Sequence, residues 1–155
     1  MDICIFSDRF PPYKRGGAAN VAAAVATGYH DQGHEVLVIT TVENEADSGF
    51  DHHDGLTVRR ITAPENPRYR AYYSIYNPAI VSGVSSALDR FQPDIVHAHN
   101  VHESLSYHTL KLSADRSMPV VLTYHDAMSV AYGKVTDVPE DADVDEEALT
   151  PLDYH

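Results

Sequence analysis

The chain has 155 residues, 43% of them hydrophobic, which is enough to bury one core but too few for two full domains. Its 23 acidic residues outnumber the 11 basic ones and give a net charge of -12. This balance argues against nucleic acid as a partner, because phosphate contacts require a basic face.

The same composition bears on where the protein works. An acidic, lysine-poor chain resembles halophilic cytosolic proteins, since high salt screens the self-repulsion of their surfaces. No run approaches the roughly 18 apolar residues that span a bilayer, and the start Met1-Asp2-Ile3 lacks the basic region of a signal peptide. We therefore expect a cytoplasmic protein. The single cysteine, Cys4, lies in an apolar run, which predicts a buried thiol.

The first 41 residues predict a strand, a helix and a second strand. Residues 3–6 form an apolar run of strand length. Apolar residues then recur at helical spacing over residues 18–29, and Gly33 follows as a stop signal. The β-branched run at 35–41, EVLVITT, is the second strand, so the three elements form one βαβ unit with a right-handed crossover.

The later elements continue this alternation. A polar segment at 43–55 precedes a third short strand at 56–61. Asn77-Pro78 predicts the start of a helix, because asparagine caps a helix and proline fits its first turn, and Pro93 ends it. The remaining predicted elements are a strand in DIVHAHN ending near His97, a weaker helix over about 103–113, and a strand in PVVLTYHD ending near Tyr124.

Strands that alternate with helices predict an α/β fold: a Rossmann-like, doubly wound parallel sheet covered on both faces. We assign this domain to residues 1–136. Residues 137–155 carry eight acidic side chains and no basic one, which predicts a flexible acidic tail or linker.

In an open parallel sheet, ligands bind in the crevice outside the carboxyl ends of the strands. Three polar segments follow those ends here: residues 7–17, residues 97–102 and the pair His125-Asp126. We expect them to converge on one rim.

A glycine pair, Gly16-Gly17, lies where the first helix begins. Backbone N–H groups and the helix dipole at such a position favour an anion such as a diphosphate, and Lys14 and Arg15 add positive charge. Alternatively, the glycines only let the loop pass close to the sheet. The spacing matches neither the dinucleotide fingerprint nor the nucleoside-triphosphate loop.

Histidines are dense in the second half: His97, His99, His102, His108 and His125 lie within 29 positions. The H-x-H pair is compatible with zinc, but no carboxylate completes a familiar metal motif. We therefore predict no metal site and expect neutral imidazoles that hydrogen-bond hydroxyl groups in a polar cleft.

One basic and aromatic island interrupts the acidic background. It holds half of the arginines, and its members are Arg59, Arg60, Arg68, Tyr69, Arg70, Tyr72, Tyr73 and Tyr76. Such side chains suit stacking on sugar rings or holding an anionic acceptor or lipid headgroup. Ordinary packing of the second helix against its loop is the alternative.

Three stretches together resemble one known family. FPPYKRGGAANVAAAVATGYHDQGHEVLVIT, PDIVHAHN and PVVLTYHD are similar, in order and spacing, to the N-terminal half of the retaining glycosyltransferases of family 4, which have the GT-B fold. The similarity covers about residues 2–133. It implies glycosyl transfer from a nucleotide sugar to an acceptor, with no metal and no further cofactor.

The resemblance also implies roles for individual residues. The glycine pair, with Lys14 and Arg15, would bind the phosphates and sugar of the donor. His125 and Asp126 would be catalytic, with His125 hydrogen-bonded to the donor sugar near the reacting carbon. The acceptor side would consist of residues 8–15 and 97–100, which include His97, His99 and Asn100, together with Arg68, Arg70 and Tyr72.

In that family a C-terminal domain carries the nucleotide-binding residues, and this chain stops before one could begin. We therefore expect the chain to be inactive alone and to need a C-terminal donor-binding domain, fused or separate. Lipid-linked acceptors and peripheral contact with the inner face of a membrane fit the same family. The alternative interpretations are a non-catalytic flavodoxin-like binding module and a dinucleotide-dependent oxidoreductase, and the latter lacks the required glycine spacing.

Overall fold

A computed structural model describes residues 1–13, 16–63 and 67–125. The chain divides into two compact units, Met1–Thr123 and Tyr124–His155. The predicted boundary between residues 136 and 137 lies outside the described residues and stays a prediction.

Within the described residues, the first unit contains six strands and four α-helices. In chain order they are β1 (Asp2–Ser7), α1 (Gly17–Asp31), β2 (Glu35–Val42), β3 (Gly49–His53), β4 (Leu56–Thr62), α2 (Arg70–Ile75), α3 (Pro78–Phe91), β5 (Ile95–His99), α4 (His108–Ala114) and β6 (Val120–Thr123). Short 3-10 turns lie at Glu45–Asp47 and Pro67–Tyr69.

The strands form one sheet in the order β3-β4-β2-β1-β5-β6. Every neighbouring pair is parallel except β3 and β4. This is the predicted Rossmann-like sheet with one antiparallel edge strand, as open α/β sheets often carry.

Helices cover both faces of the sheet, as doubly wound folds require. Ile3 and Ile5 of β1 pack with Ala26 of α1 on one face. Cys4 and Phe6 alternate with them and pack on the opposite face, where α3 supplies Ile80, Val84, Ala87 and Leu88. Cys4 is fully buried, which confirms the predicted buried thiol, and burial raises the pKa of that thiol.

The capping prediction for α3 is confirmed. Asn77 Oδ1 accepts the N–H of Ala79 at 3.1 Å, and Pro78 follows in the first turn. The Asn77 amide also donates to the carbonyl oxygen of Ser104 at 2.7 Å, so the same side chain ties α3 to the loop after β5.

Two elements were not predicted, namely β3 and α2. Part of the polar segment at 43–55, for which we predicted no strand, forms a hairpin with β4, closed by Asp54 and Gly55, whose φ angles of 49° and 83° fit a two-residue turn. None of the described helices is long and apolar enough to cross a membrane.

Two glycines inside helices give a matched test of the packing. A Cβ at Gly83 in α3 would lie 3.0 Å from Cδ1 and 3.2 Å from Cγ1 and Cγ2 of the buried Ile61, whereas a Cβ at Gly28 in α1 would meet nothing within 4 Å. We expect Gly83→Ala to lower the free energy of unfolding by about 1–2 kcal/mol through overpacking. Gly28→Ala should raise it by about 0.5–1 kcal/mol through helix propensity. Urea unfolding measures both, and equal stability of the two variants would contradict this packing.

Candidate functional site

The loops that follow β1 and β5 meet at the carboxyl edge of the sheet. The two strands are paired in register, with Ser7 opposite His99, so both loops begin at the same level. The N–H of Asp8 donates to the carbonyl oxygen of Asn100 at 3.4 Å, and Thr41 Oγ1 donates to the carbonyl oxygen of Asp8 at 3.0 Å. The predicted convergence of these two segments is confirmed.

Asp8 clamps the two loops together through its carboxylate. Oδ2 accepts the N–H of Glu103 at 2.8 Å, and Oδ1 accepts the N–H groups of Ser104 at 2.9 Å and Leu105 at 2.6 Å. The side chain is buried. Because these three N–H groups are bound to a side chain, residues 103–105 do not enter a helix, and α4 begins only at His108.

Opposing effects set the charge of Asp8. Burial raises the pKa of Asp8 most strongly, the three backbone N–H bonds lower it and the charge of Glu103 raises it, and together these effects place the pKa at about 7. The carboxyl group therefore titrates near neutral pH, at the carboxyl edge of the sheet.

Glu103 connects this clamp to the basic side chains of the rim. Its carboxylate accepts hydrogen bonds from Nε of Arg9 at 2.9 Å and from Nη2 of Arg9 at 3.1 Å. Nη2 of Arg70 lies 3.9 Å from Oε1 of the same carboxylate. These side chains are partly exposed, so the pairs position the guanidinium groups more than they stabilise the fold.

His97 and His99 lie on the face of the sheet that α1 covers. Nδ1 of His97 is 3.3 Å from the hydroxyl of Tyr29, and its Nε2 is 2.9 Å from Oγ1 of Thr123. The His97 and His99 rings are 4.2 Å apart, and His99 is buried. Each ring nitrogen of His97 thus lies within hydrogen-bond distance of a hydroxyl group.

Among the described residues, the space that a side chain at either glycine of the pair would enter is open. A Cβ at Gly16 or at Gly17 would meet nothing within 4 Å. Gly16 has φ 161°, an extended conformation open to any residue. Neither close packing nor backbone strain explains these glycines within the described part of the chain, so the interpretation that they only let the loop pass close to the sheet gains no support.

The remaining predicted site residues fall into three groups. The first group lies on an exposed segment, the α2 arm, which consists of the 3-10 turn Pro67–Tyr69 and α2. Its members are Arg68, Arg70 and Tyr72, and Tyr72 is 61% exposed. Asn100 has φ 44°, a left-handed conformation that asparagine tolerates. The last group comprises Lys14, Arg15 and Asp126, which lie outside the described residues, and His125, which belongs to the second unit.

Among the described residues, no group of three His, Cys, Asp or Glu side chains is placed to hold a metal ion. The tight contacts of this edge come instead from Asp8, Glu103 and Arg60, and the sequence predicted none of these contacts. A carboxylate directly after a buried strand was the available signal for Asp8. Alternation with Leu56 and Val58 was the signal that Arg60 points inward.

Comparison with known proteins identifies the family. The profile of the glycosyl transferase 4-like domain matches residues 16–146. The chain belongs to this family. No curated protein matches the sequence.

The fold of this glycosyl transferase 4-like domain has a solved counterpart. Sucrose-phosphate synthase from Thermosynechococcus elongatus superposes with a TM-score of 0.57 at 14% sequence identity, over 83% of this chain and 66% of that one. At this identity the likeness shows the fold alone, which is the Rossmann-like half of a GT-B architecture.

Replacing Asp8 by asparagine tests the clamp in this glycosyl transferase 4-like domain. Both oxygens of a carboxyl group can accept hydrogen bonds. The side-chain nitrogen of asparagine cannot, and its hydrogens would face the N–H of Glu103, so that hydrogen bond would be lost. We expect Asp8→Asn to lower the free energy of unfolding at pH 5 by about 1–3 kcal/mol. Asp31→Asn, at the exposed end of α1, is the control and should stay within about 0.5 kcal/mol of the unmodified chain.

The difference in the free energy of unfolding between Asp8→Asn and the unmodified chain depends on pH, and the sign of this dependence is defined. Asp8 titrates at about 7 in the folded state and at about 4 when unfolded, so the folded state binds the additional proton between these values. Its stabilising contribution is full below pH 4 and is lost as the pH rises through 7. Unfolding curves at pH 5 and pH 8 should therefore show a smaller penalty for Asp8→Asn at pH 8. A penalty that grows with pH would contradict the raised pKa.

Proposed function

We propose that the chain is the acceptor-binding, N-terminal domain of a retaining glycosyltransferase that uses a nucleotide sugar. The family match over residues 16–146 carries this proposal. The open space above the glycine pair and the polar rim beside it support the proposal, since substrates of α/β folds bind at this edge.

The donor diphosphate would lie against the start of α1. The N–H groups at the N-terminus of this 15-residue helix and its dipole favour an anion, and Gly16 and Gly17 leave room for close backbone approach. Lys14 and Arg15 precede the pair in the sequence and would add positive charge.

The chemistry would be a same-face substitution in which the leaving phosphate helps to deprotonate the acceptor hydroxyl. The protein then mainly positions the substrates and neutralises charge, with no metal and no cofactor beyond the donor. In this scheme His125 hydrogen-bonds the donor sugar and Asp126 supports it, while His97, His99 and Asn100 present polar groups to the acceptor.

The α2 arm suits a large acceptor. Arg68 lies over Tyr69, with its guanidinium carbon 5.6 Å from the ring centroid, and Arg70 and Tyr72 are exposed beside them. These aromatic and basic groups would stack on a sugar or contact a lipid headgroup, including that of a lipid-linked acceptor at the inner face of a membrane.

Transfer would require a donor-binding domain across the cleft, in the same polypeptide or in a second chain. We expect the purified 155-residue chain, mixed with a panel of nucleotide sugars and hydroxyl acceptors, to release nucleoside diphosphate no faster than a protein-free sample. Addition of the donor-binding domain should restore release. Sugar transfer by the 155-residue chain alone would overturn this requirement.

Gly17→Ala separates a ligand role of the glycine pair from a structural one. The added Cβ meets nothing within 4 Å, so we expect the melting temperature not to fall. In the protein completed by its donor-binding domain, transfer should drop by about tenfold or more, because the methyl group occupies the space of the diphosphate. Gly28→Ala adds the same methyl group within α1 and should leave transfer unchanged. Equal activity of both variants would remove Gly17 from the site.

A further inference from the structure

Arg60 is a buried cation at the edge where the proposed substrates bind. It is 1% exposed, and no other arginine among the described residues is buried. It lies near the carboxyl end of β4, on the face where Leu56 and Val58 pack against the α1 side of the core. Because β4, β2 and β1 are parallel, this end opens to the same rim as the loop after β1.

The guanidinium group is only partly satisfied. Nε lies 3.3 Å from Oδ2 of Asp51, and Nη2 donates to the carbonyl oxygen of Pro11 at 2.9 Å. Nη1 is buried and has no hydrogen-bond partner among the residues that the structure describes. A buried charge with unused donors is costly, and Asp51, whose side chain is 45% exposed, compensates it weakly.

An aromatic side chain covers this cation. The ring centroid of Tyr13 lies 4.7 Å from the guanidinium carbon of Arg60, and Tyr13 is itself 52% exposed. Tyr13 belongs to the loop between β1 and α1, close in sequence to the glycine pair. A change of the Tyr13 side-chain rotamer would open Arg60 to the rim without any movement of the sheet.

We propose that Arg60 is a phosphate-binding residue of this domain, and that Tyr13 covers its guanidinium group until a phosphate group of a substrate takes the place of the ring. Arginine suits this task because its planar group presents paired donors to phosphate oxygens. The unused Nη1 and the half-exposed cover carry the inference. The inference rests on the proposed function in one respect only: that function determines whether the donor or a phosphorylated acceptor brings the phosphate.

Binding of inorganic phosphate to the full chain tests the proposal without any turnover. We expect Arg60→Met to weaken phosphate binding by about tenfold or more. Tyr13→Ala should tighten it by about two- to fivefold, since the stacking that competes with phosphate is lost. Arg90→Met is the matched control: Arg90 lies in the last turn of α3, its guanidinium carbon is 5.8 Å from the ring centroid of Phe50, and the variant should bind phosphate as the unmodified chain does.

The alternative is that Arg60 only ties Asp51 to the loop at Pro11. In that case Arg60→Met and the unmodified chain bind phosphate equally, or neither the unmodified chain nor Tyr13→Ala binds it, and either result overturns the proposal. Circular dichroism and melting curves establish that Arg60→Met is folded, which we expect because an apolar side chain can replace a buried charge. If it is not folded, the gain in Tyr13→Ala decides: tighter binding supports the proposal, and unchanged binding overturns it.

A second titration, with UDP, distinguishes the source of the phosphate. Arg60→Met weakens UDP binding if the donor diphosphate occupies the site, and leaves it unchanged if a phosphorylated acceptor does. Because neither titration requires transfer, an inactive chain leaves the proposal standing, and a failed phosphate titration leaves the proposed glycosyltransferase role standing.

Discussion

The buried carboxylate of Asp8 determines how the ligand edge of the sheet is built. It binds three consecutive backbone N–H groups of the loop after β5, and this loop in turn holds α3: the carbonyl oxygen of Ser104 accepts the Asn77 amide, whose Oδ1 caps the helix. One side chain at the end of β1 thus fixes a loop and, through that loop, the start of α3. Because the group is desolvated, this network is both strong and sensitive to its protonation state.

Buried charge is concentrated at this edge. The two core clusters of the described residues are otherwise apolar, yet Asp8 and Arg60 are both buried near the carboxyl ends of their strands. Each departs from the rule that a core buries apolar groups, and each such departure costs stability. Departures of this kind are expected at functional sites. The positions of Asp8 and Arg60 and the position of the glycine pair therefore indicate the same edge of the sheet as the candidate site.

The sequence predicted the parallel βαβ frame because hydrophobic periodicity is a local signal that burial reinforces. It did not predict β3, because the only sequence signal for this hairpin was the short Asp54-Gly55 turn, which lies inside a polar segment. It placed the start of the fourth helix too early, because the competition for residues 103–105 comes from Asp8, about 95 positions away. Long-range hydrogen bonds leave no periodic trace. For the candidate site the sequence identified the correct edge, but not the clamp or the inward direction of Arg60.

The basic island that the sequence suggests as one patch is divided in the structure. Arg60 is buried beneath Tyr13, while Arg70 is exposed and already faces Glu103. On a chain of net charge -12, an anionic substrate is repelled at long range and attracted only at such local positions. High salt screens exposed pairs such as Arg9 with Glu103 far more than buried groups. Selectivity for a phosphate at Arg60 would therefore rest on geometry inside the fold, and it would persist at salt concentrations that weaken every contact of the exposed rim.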